Sequence, residues 1–433
     1  MLLNFETENW ACFRDKVRLS MQAGSEHDPD GRLACIGGES RPLKILPVAA
    51  IYGNNASGKT QLIRALSFVQ NLITDKFDSQ YLPVEPFLLD GAKRSAPTNF
   101  RIQFVVNETI FELHLSVAAK GIISEDLYAY SARSIARRTL FRRKGSKAEA
   151  FDEWGDNDFQ KYVKSSFDIE ATKSFVSVSA MLLANNPIVA SVTEWFGKKL
   201  CIISPDARYM AVENYCSRGE IADKTQEYLD RFDTGIKGLV PVEVPISTLS
   251  PKMVEDVRKA LAVAKTVRRL IGGNVFIFDA NEDGSIRVRK LNAMHDCVDG
   301  SVLPFPMDRE SDGTRRMLDL VPRVGWAASG CDGMVCVVDE IDRSLHHLVT
   351  RALVEDFIAS CSAKCRNQLI FTTHDLLLMT QDIFRRDEMN VTDKAPDGAA
   401  VINDFSAFQG LKKDTNILDR YLDGRFGGIP RNI

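Results

Sequence analysis

Apolar and polar positions alternate over residues 1–21, with Phe5, Cys12, Phe13, Val17 and Leu19 on the apolar side, a period that predicts two short strands. A polar, glycine-bearing loop follows from Gly24 to Ser40. Next comes the apolar run Leu43–Tyr52 (LKILPVAAIY), the size of one strand buried on both faces. It ends in a glycine-rich octapeptide, and behind that Leu62, Ala65, Leu66, Val69, Leu72 and Ile73 recur at helical spacing. Strand, glycine loop and helix thus follow one another directly. From Phe100 to Leu115 (FRIQFVVNETIFELHL) two strands flank Asn107-Glu108 and read as a hairpin.

Residues 150–270 are the least decodable part of the chain. Helical stretches occur there, the clearest opening at Ser250-Pro251, an N-cap and a proline at the first helical position, and stopping at Gly272-Gly273. A second hairpin, NVFIFDANEDGSIRVRKL, turns at Glu282-Asp283-Gly284. After residue 300 the pattern becomes βαβ-like: a strand Met334–Val338, a helix from about Ser344 and a strand Gln368–Thr373. No internal repeat or low-complexity tract interrupts it.

The chain has 433 residues, enough for two or three domains or for one carrying a large insertion, and its 45% hydrophobic and 26% charged residues are an ordinary globular balance. A formal charge of −3 confines any nucleic-acid surface to a local patch. Nine cysteines form no CxxC pair and no zinc-spaced cluster; the nearest approach, Cys361 and Cys365, is expected on one helix. Scattered, odd-numbered cysteines suit a reducing compartment. The first residues, MLLNFETENW, lack the basic start and apolar core of a signal peptide, and no run of about 18 apolar residues exists. The expectation is a soluble cytoplasmic protein with no membrane partner.

The octapeptide Gly53-Asn54-Asn55-Ala56-Ser57-Gly58-Lys59-Thr60, followed by Gln61, has the spacing G-x-x-x-x-G-K-S/T. Backbone N–H groups in such a turn wrap a phosphate chain, Lys59 brings charge to the β/γ oxygens, and the Thr60 hydroxyl ligates Mg²⁺. Chance alone yields this spacing roughly once or twice in a hundred chains of this length, and the strand–loop–helix context lowers that further. A second motif, Val335-Cys-Val-Val-Asp339-Glu340, describes a central parallel strand delivering two carboxylates to its end. Asp339 is expected in the Mg²⁺ shell and Glu340 as the base that polarises the attacking water, although an acidic pair after a strand is often only a solvated loop start. Third, the strand Leu369–Thr373 ends in His374, whose imidazole can bond a γ-phosphate; a lone His is otherwise usually structural. Fourth, Glu310-Ser311-Asp312-Gly313-Thr314-Arg315-Arg316 precedes a helical stripe of Met317, Leu320, Val321 and Val324. Ser311 and Gly313 can offer a hydroxyl and N–H groups to an anion, while in isolation Ser311 is simply an N-cap.

In this order the motifs resemble the ATP-binding-cassette type of ATPase, in the branch with SMC, RecF and OLD-family proteins. More closely the chain resembles the stand-alone bacterial AAA15/AAA21-type ATPases of phage-defence operons, RloA-like and AbiL-like, on LNFETENWACFRDKVRLSM, Tyr81–Asp90, Phe232–Ile236, ESDGTRR and Tyr421–Pro430. The resemblance implies an α/β P-loop fold with a mixed sheet core, an antiparallel β lobe and a mainly helical insertion. On it the ATPase is expected over 1–149 and 291–433, with an insertion lobe at 150–290. It also implies a head-to-tail homodimer or higher oligomer, each ATP held between Lys59/Thr60 of one copy and Ser311/Gly313 of another, with Glu340 as base, His374 as switch and Asp342–His347 crossing the interface. His346-His347 stands where RecF-type relatives often have His-Pro. Gln103 does not fill the place of the glutamine that links nucleotide to the inserted lobe. No sustained heptad suggests a coiled-coil arm.

Arg133–Lys147 (RSIARRTLFRRKGSK) holds seven basic residues and no acidic one. Such a run could neutralise phosphates of DNA or RNA, or be a solvated strand face with Leu140 and Phe141 inward. No nuclease motif is recognisable. The resemblance therefore implies that toxic chemistry belongs to a separate effector, often a Toprim-like nuclease. The alternative is a RecF-like DNA-maintenance ATPase that clamps DNA; a small-molecule kinase would leave the Ser-x-Gly helix unexplained.

Overall fold

The run leading into the glycine loop breaks at Pro47, which has no N–H to give a ladder. In a computed structural model of the chain, Leu43–Ile45 pairs with Ala34–Ile36 in a two-stranded sheet, and Val48–Tyr52 is a separate, wholly buried strand. The structure describes every residue except 27, 29, 38–41, 132–135, 152, 167, 207–219, 282, 330–332, 409–415 and 430–433. Arg133, Glu282 and Pro430 of the motifs above lie outside the described residues. Two units emerge: Met1–Ser204 with Gly330–Ile341 and Glu355–Ile433, and Pro205–Ser329 with Asp342–Val354.

The first unit has a six-stranded sheet in the order Leu200–Ile203, Val335–Val338, Gln368–Thr372, Val48–Tyr52, Met389–Lys394, Ala400–Asp404. Neighbours run parallel except the last, antiparallel pair. Its second sheet is antiparallel and seven-stranded, and includes the expected N-terminal strands Leu2–Glu8 and Val17–Ser20. The hairpin Thr98–Val106/Thr109–Ala118 turns where expected, because Asn107 and Glu108 both take positive φ (48° and 64°), matching the twist of the flanking strands. The helix Lys59–Ile73 buries Leu62, Leu66, Val69 and Leu72 in a core shared with Phe5, Phe104 and Trp195.

The basic run is largely neutralised within this unit. Leu140 and Phe141 point inward, and Arg143 is buried completely, 3.4 Å from the equally buried Glu125. Arg143 also donates to the carbonyls of Gly145, Glu170 and Lys173. Arg137 lies 3.4 Å over the Tyr128 ring and 3.3 Å from Glu112, Arg138 pairs with Glu153, Arg142 stands opposite Asp126, and Lys147 pairs with Asp168. These partners come from neighbouring strands and loops, so the structure favours the solvated-strand reading over a phosphate-binding surface. Removing the Arg143 guanidinium would strand a buried carboxylate. Arg143→Ala is expected to destabilise the protein by about 3 kcal/mol, read as a lower urea midpoint.

The expected 150–290 insertion divides between the units. Helices Asn157–Ser166, Phe175–Leu182 and Pro187–Glu194 belong to the first unit, and Leu200–Ile203 is an edge strand of its parallel sheet. The second unit is not mainly helical, since it holds a five-stranded antiparallel sheet. Its helix starts as expected at Ser250, whose hydroxyl accepts from the Met253 N–H, but it ends at Leu261. Thr266–Ile271 is a strand instead, turning through Gly272 and Gly273 (φ 55° and 79°) to pair with Asn274–Ala280. The hairpin at Asp283-Gly284 forms, closed by Asn281 N–H to Ser285 O at 2.9 Å. Helix Asp312–Ser329 buries Met317, Leu320, Val321 and Val324.

The helix expected near Ser344 begins at His347, because Ser344 takes φ 60° and the His346 ring accepts from the Leu348 N–H as its cap. It ends at Ala359, so Cys361 and Cys365 lie beyond it. Among the described residues no helix is long and apolar enough to cross a membrane.

Candidate functional site

The buried strand Val48–Tyr52 delivers the glycine loop at its carboxyl end, where parallel sheets place ligands. The loop needs its glycines. Gly53 and Gly58 take φ 147° and 115°, and a Cβ at Gly58 would meet the Cys12 sulfur at 3.0 Å. Ala56 also takes positive φ (62°), so the backbone curls tightly enough to turn N–H groups inward. Lys59 is buried, and its ammonium donates to the carbonyls of Gly53 (2.7 Å) and Asn54 (2.9 Å). The helix Lys59–Ile73 starts at Gly58 with no side-chain cap and no acid in its first turn, which keeps its positive end available to an anion.

The neighbouring strands bring the acidic pair alongside. Asp339, 2% exposed, accepts from Thr372 Oγ1 at 2.6 Å and from Thr60 Oγ1 at 3.4 Å. Thr372 in turn accepts from the Glu340 N–H at 2.7 Å, and Glu340 takes φ 51°. One hydroxyl thus fixes both carboxylate residues. A pocket of about 800 Å³ is lined by Asn55, Ala56, Ser57 and Gly58 of the loop together with Lys59, Thr60, Gln61, Glu340 and His374. The Gly53 and Asn54 carbonyls accept from Lys59, and Asp339 connects to the pocket through Thr60.

Sequence reasoning missed several participants. Thr372 and Thr392 carry no local signal, since each acts across strands. Cys12, Lys394 and the segment Val84–Leu89 also line the pocket. That segment lies within the Tyr81–Asp90 motif, and the Ala11 N–H to Glu85 carbonyl bond ties it down. Burial pushes the Cys12 thiol up to about 11, so it stays neutral. Gln103 is taken up by the antiparallel sheet, bonded to Asn4, Glu112 and Tyr130.

Ser311 and Gly313 belong to the second unit. The Ser311 hydroxyl accepts from the Thr314 N–H at 3.0 Å, a regular N-cap of Asp312–Ser329. A Cβ at Gly313 would lie 2.7 Å from the Ser344 carbonyl oxygen, so this close approach alone requires glycine. Glu310 is anchored to His295 at 2.8 Å, and Arg343 pairs with Asp206.

A glycine phosphate loop on a mixed, mostly parallel sheet, with an acidic pair on the second strand along and an antiparallel β lobe, defines a P-loop ATPase fold of the ABC type. The chain belongs to the AAA_21 family, described as "AAA domain, putative AbiEii toxin, Type IV TA system", whose family model matches residues 48–380. Among solved structures it is similar to an SMC head domain from Thermotoga maritima, at 10% identity over 93% of this chain and 98% of that one, with a TM-score of 0.34. It is also similar to the recombination mediator protein RecF-ATP of the RecFOR pathway, at 10% identity over 93% and 97%, with a TM-score of 0.32. No curated protein matches the sequence.

Proposed function

We propose that this chain binds and hydrolyses ATP at Gly53–Thr60 as the sensor or scaffold subunit of a bacterial anti-phage defence system. It would be a cytoplasmic protein of the RloA-like and AbiL-like kind, controlling a separate effector of the Toprim-like nuclease type. One observation carries the ATPase reading: Thr60 and Asp339 approach to 3.4 Å beside a single pocket that Lys59, Glu340 and His374 also line. A hydroxyl and a carboxylate oxygen are the hard donors Mg²⁺ takes, and it needs only one or two protein ligands beside water and phosphate oxygens. Thr60 and Asp339 would hold it, and when bound it neutralises charge on the phosphates.

In this reading the loop N–H groups from Asn54 to Thr60 and the helix end cradle the phosphates. Lys59 would exchange its bonds to Gly53 and Asn54 for phosphate oxygens, and Gln61, which also lines the pocket, would contact the nucleotide. Glu340 takes the proton from the attacking water, and His374 bonds the γ-phosphate and registers its loss. Ser311 and Gly313 reach the phosphates of a second copy, which makes the working form a head-to-tail homodimer or higher oligomer. The family's toxin–antitoxin description supports a chain that works with a second protein component. Purification from native cells in ATP and Mg²⁺ tests the assignment. A nuclease-type protein that co-purifies only with nucleotide supports it. DNA with replication or repair proteins instead would move the chain to the RecF-like alternative.

A further inference from the structure

The phosphate loop is braced from a strand that the sequence motifs do not include. Thr392 is fully buried in Met389–Lys394, the strand beside Val48–Tyr52. Its hydroxyl donates to the Tyr52 carbonyl at 3.1 Å, which leaves Ser57 Oγ, 2.6 Å away, to donate to it. A Cβ at Gly53 would lie 2.4 Å from Thr392 Oγ1 and 2.6 Å from the Thr392 carbonyl oxygen. Thr392 therefore touches the first residue of the loop, the residue before it and the serine at its far side.

The same Thr392 carbonyl faces a second glycine. In the segment Tyr421–Ile429 a Cβ at Gly428 would lie 3.2 Å from that oxygen and 2.5 Å from Val391 Cγ2. At Gly427 it would lie 2.6 Å from Asp393 Oδ2. Both glycines take positive φ (70° and 72°), and the buried Tyr421 hydroxyl holds the turn by donating to the Gly428 carbonyl at 2.6 Å. Val391, Thr392 and Asp393 are thus each packed against a glycine pair on one side, while Thr392 meets the loop on the other. Neither side has room for a methyl group, so a displacement of the segment passes through one peptide into Gly53.

Taking the nucleotide site of the preceding section as given, we propose that Thr392 is a positioning residue of the phosphate loop. The Tyr421–Ile429 glycine pair holds it in place and thereby sets the loop's affinity for the nucleotide's phosphates. Thr392→Val keeps the shape and burial but removes the donor to Tyr52 and the acceptor for Ser57. Affinity for a fluorescent ATP analogue with Mg²⁺ should fall about tenfold. Thr392→Ser retains the hydroxyl and should stay within about twofold of wild type. Gly428→Ala leaves every loop residue and Thr392 itself intact, yet should weaken binding about tenfold by pushing Val391 and Thr392 toward the loop.

Each full-length variant is measured beside a thermal melt and a Lys59→Ala control. Loss of affinity in Thr392→Val and Gly428→Ala, with rescue in Thr392→Ser, supports the brace. Lowered melting temperatures with unchanged affinity in both, while Lys59→Ala loses binding, would overturn the brace and leave the nucleotide site standing. Equal binding by Lys59→Ala and wild type would overturn the site itself, and the brace with it.

Discussion

Glu340→Gln should hold ATP about as tightly as the wild type while its hydrolysis rate falls by a factor of roughly 10²–10⁴, the range a positioned general base contributes. The substitution is close to isosteric. It keeps the backbone N–H that bonds Thr372, leaves the Thr372–Asp339 bond untouched and changes nothing in the glycine loop. Only the ability to accept a proton disappears. Binding, measured by equilibrium titration, and single-turnover phosphate release should therefore separate completely. With hydrolysis blocked, the ATP-bound assembly should accumulate as a larger species in size-exclusion chromatography. A wild-type turnover rate in this variant would place the base elsewhere.

Ser311→Arg should be as severe for turnover and equally harmless to ATP binding, for a different reason. The serine belongs to the second unit, and its proposed partner is a phosphate on a second copy. A bulky cation there should block closure and cost at least about 10²-fold in hydrolysis. The side chain also caps its own helix through the Thr314 N–H, so Ser311→Asp is the companion variant. It keeps a cap but sets a carboxylate against the phosphates, and the same loss is expected. Mixing inactive Ser311→Arg with inactive Glu340→Gln gives a sharper result. In a head-to-tail dimer the mixed species rebuilds one intact site, and activity should return to roughly a quarter of wild type. No recovery from the mixture would argue that each copy works alone.

The parts of this protein legible in its sequence are those governed by local rules. Gly53 and Gly58 announce the loop because their backbone angles suit no other residue as well. Asp339 and Glu340 announce themselves because four buried residues precede them. The hairpin at Asn107-Glu108 was equally readable, its turn being encoded in two adjacent positions. What escaped reading depends on neighbours far away along the chain. Leu200–Ile203 is four residues long and follows helices directly, so periodicity could not tell an edge strand from more helix. Thr266–Ile271 looked like the tail of the preceding helix until its pairing with Asn274–Ala280 decided otherwise. The basic run could be read as a phosphate-binding surface or as a solvated strand face, because Glu125, Asp126, Glu153 and Asp168, which decide between the two, stand on other strands and loops. Thr372 and Thr392 are single hydroxyls with no pattern around them, yet one fixes the acidic pair and the other touches the loop.

The strand order of the six-stranded sheet also bears on how the protein is made. Val48–Tyr52 leaves the ribosome long before both strands that flank it, Gln368–Thr372 and Met389–Lys394, have been made. Until they arrive, this apolar strand has two unpaired edges and the glycine loop has no wall behind it. Synthesis at about 5–20 residues per second leaves that hydrophobic segment exposed for tens of seconds, a period in which a chaperone is needed or aggregation competes. The antiparallel sheet has no such delay, since its strands lie within the first 150 residues. A nascent chain should therefore carry a folded β lobe long before it can hold a nucleotide, and a chain stalled short of Lys394 would lack a strand of the sheet that backs the glycine loop.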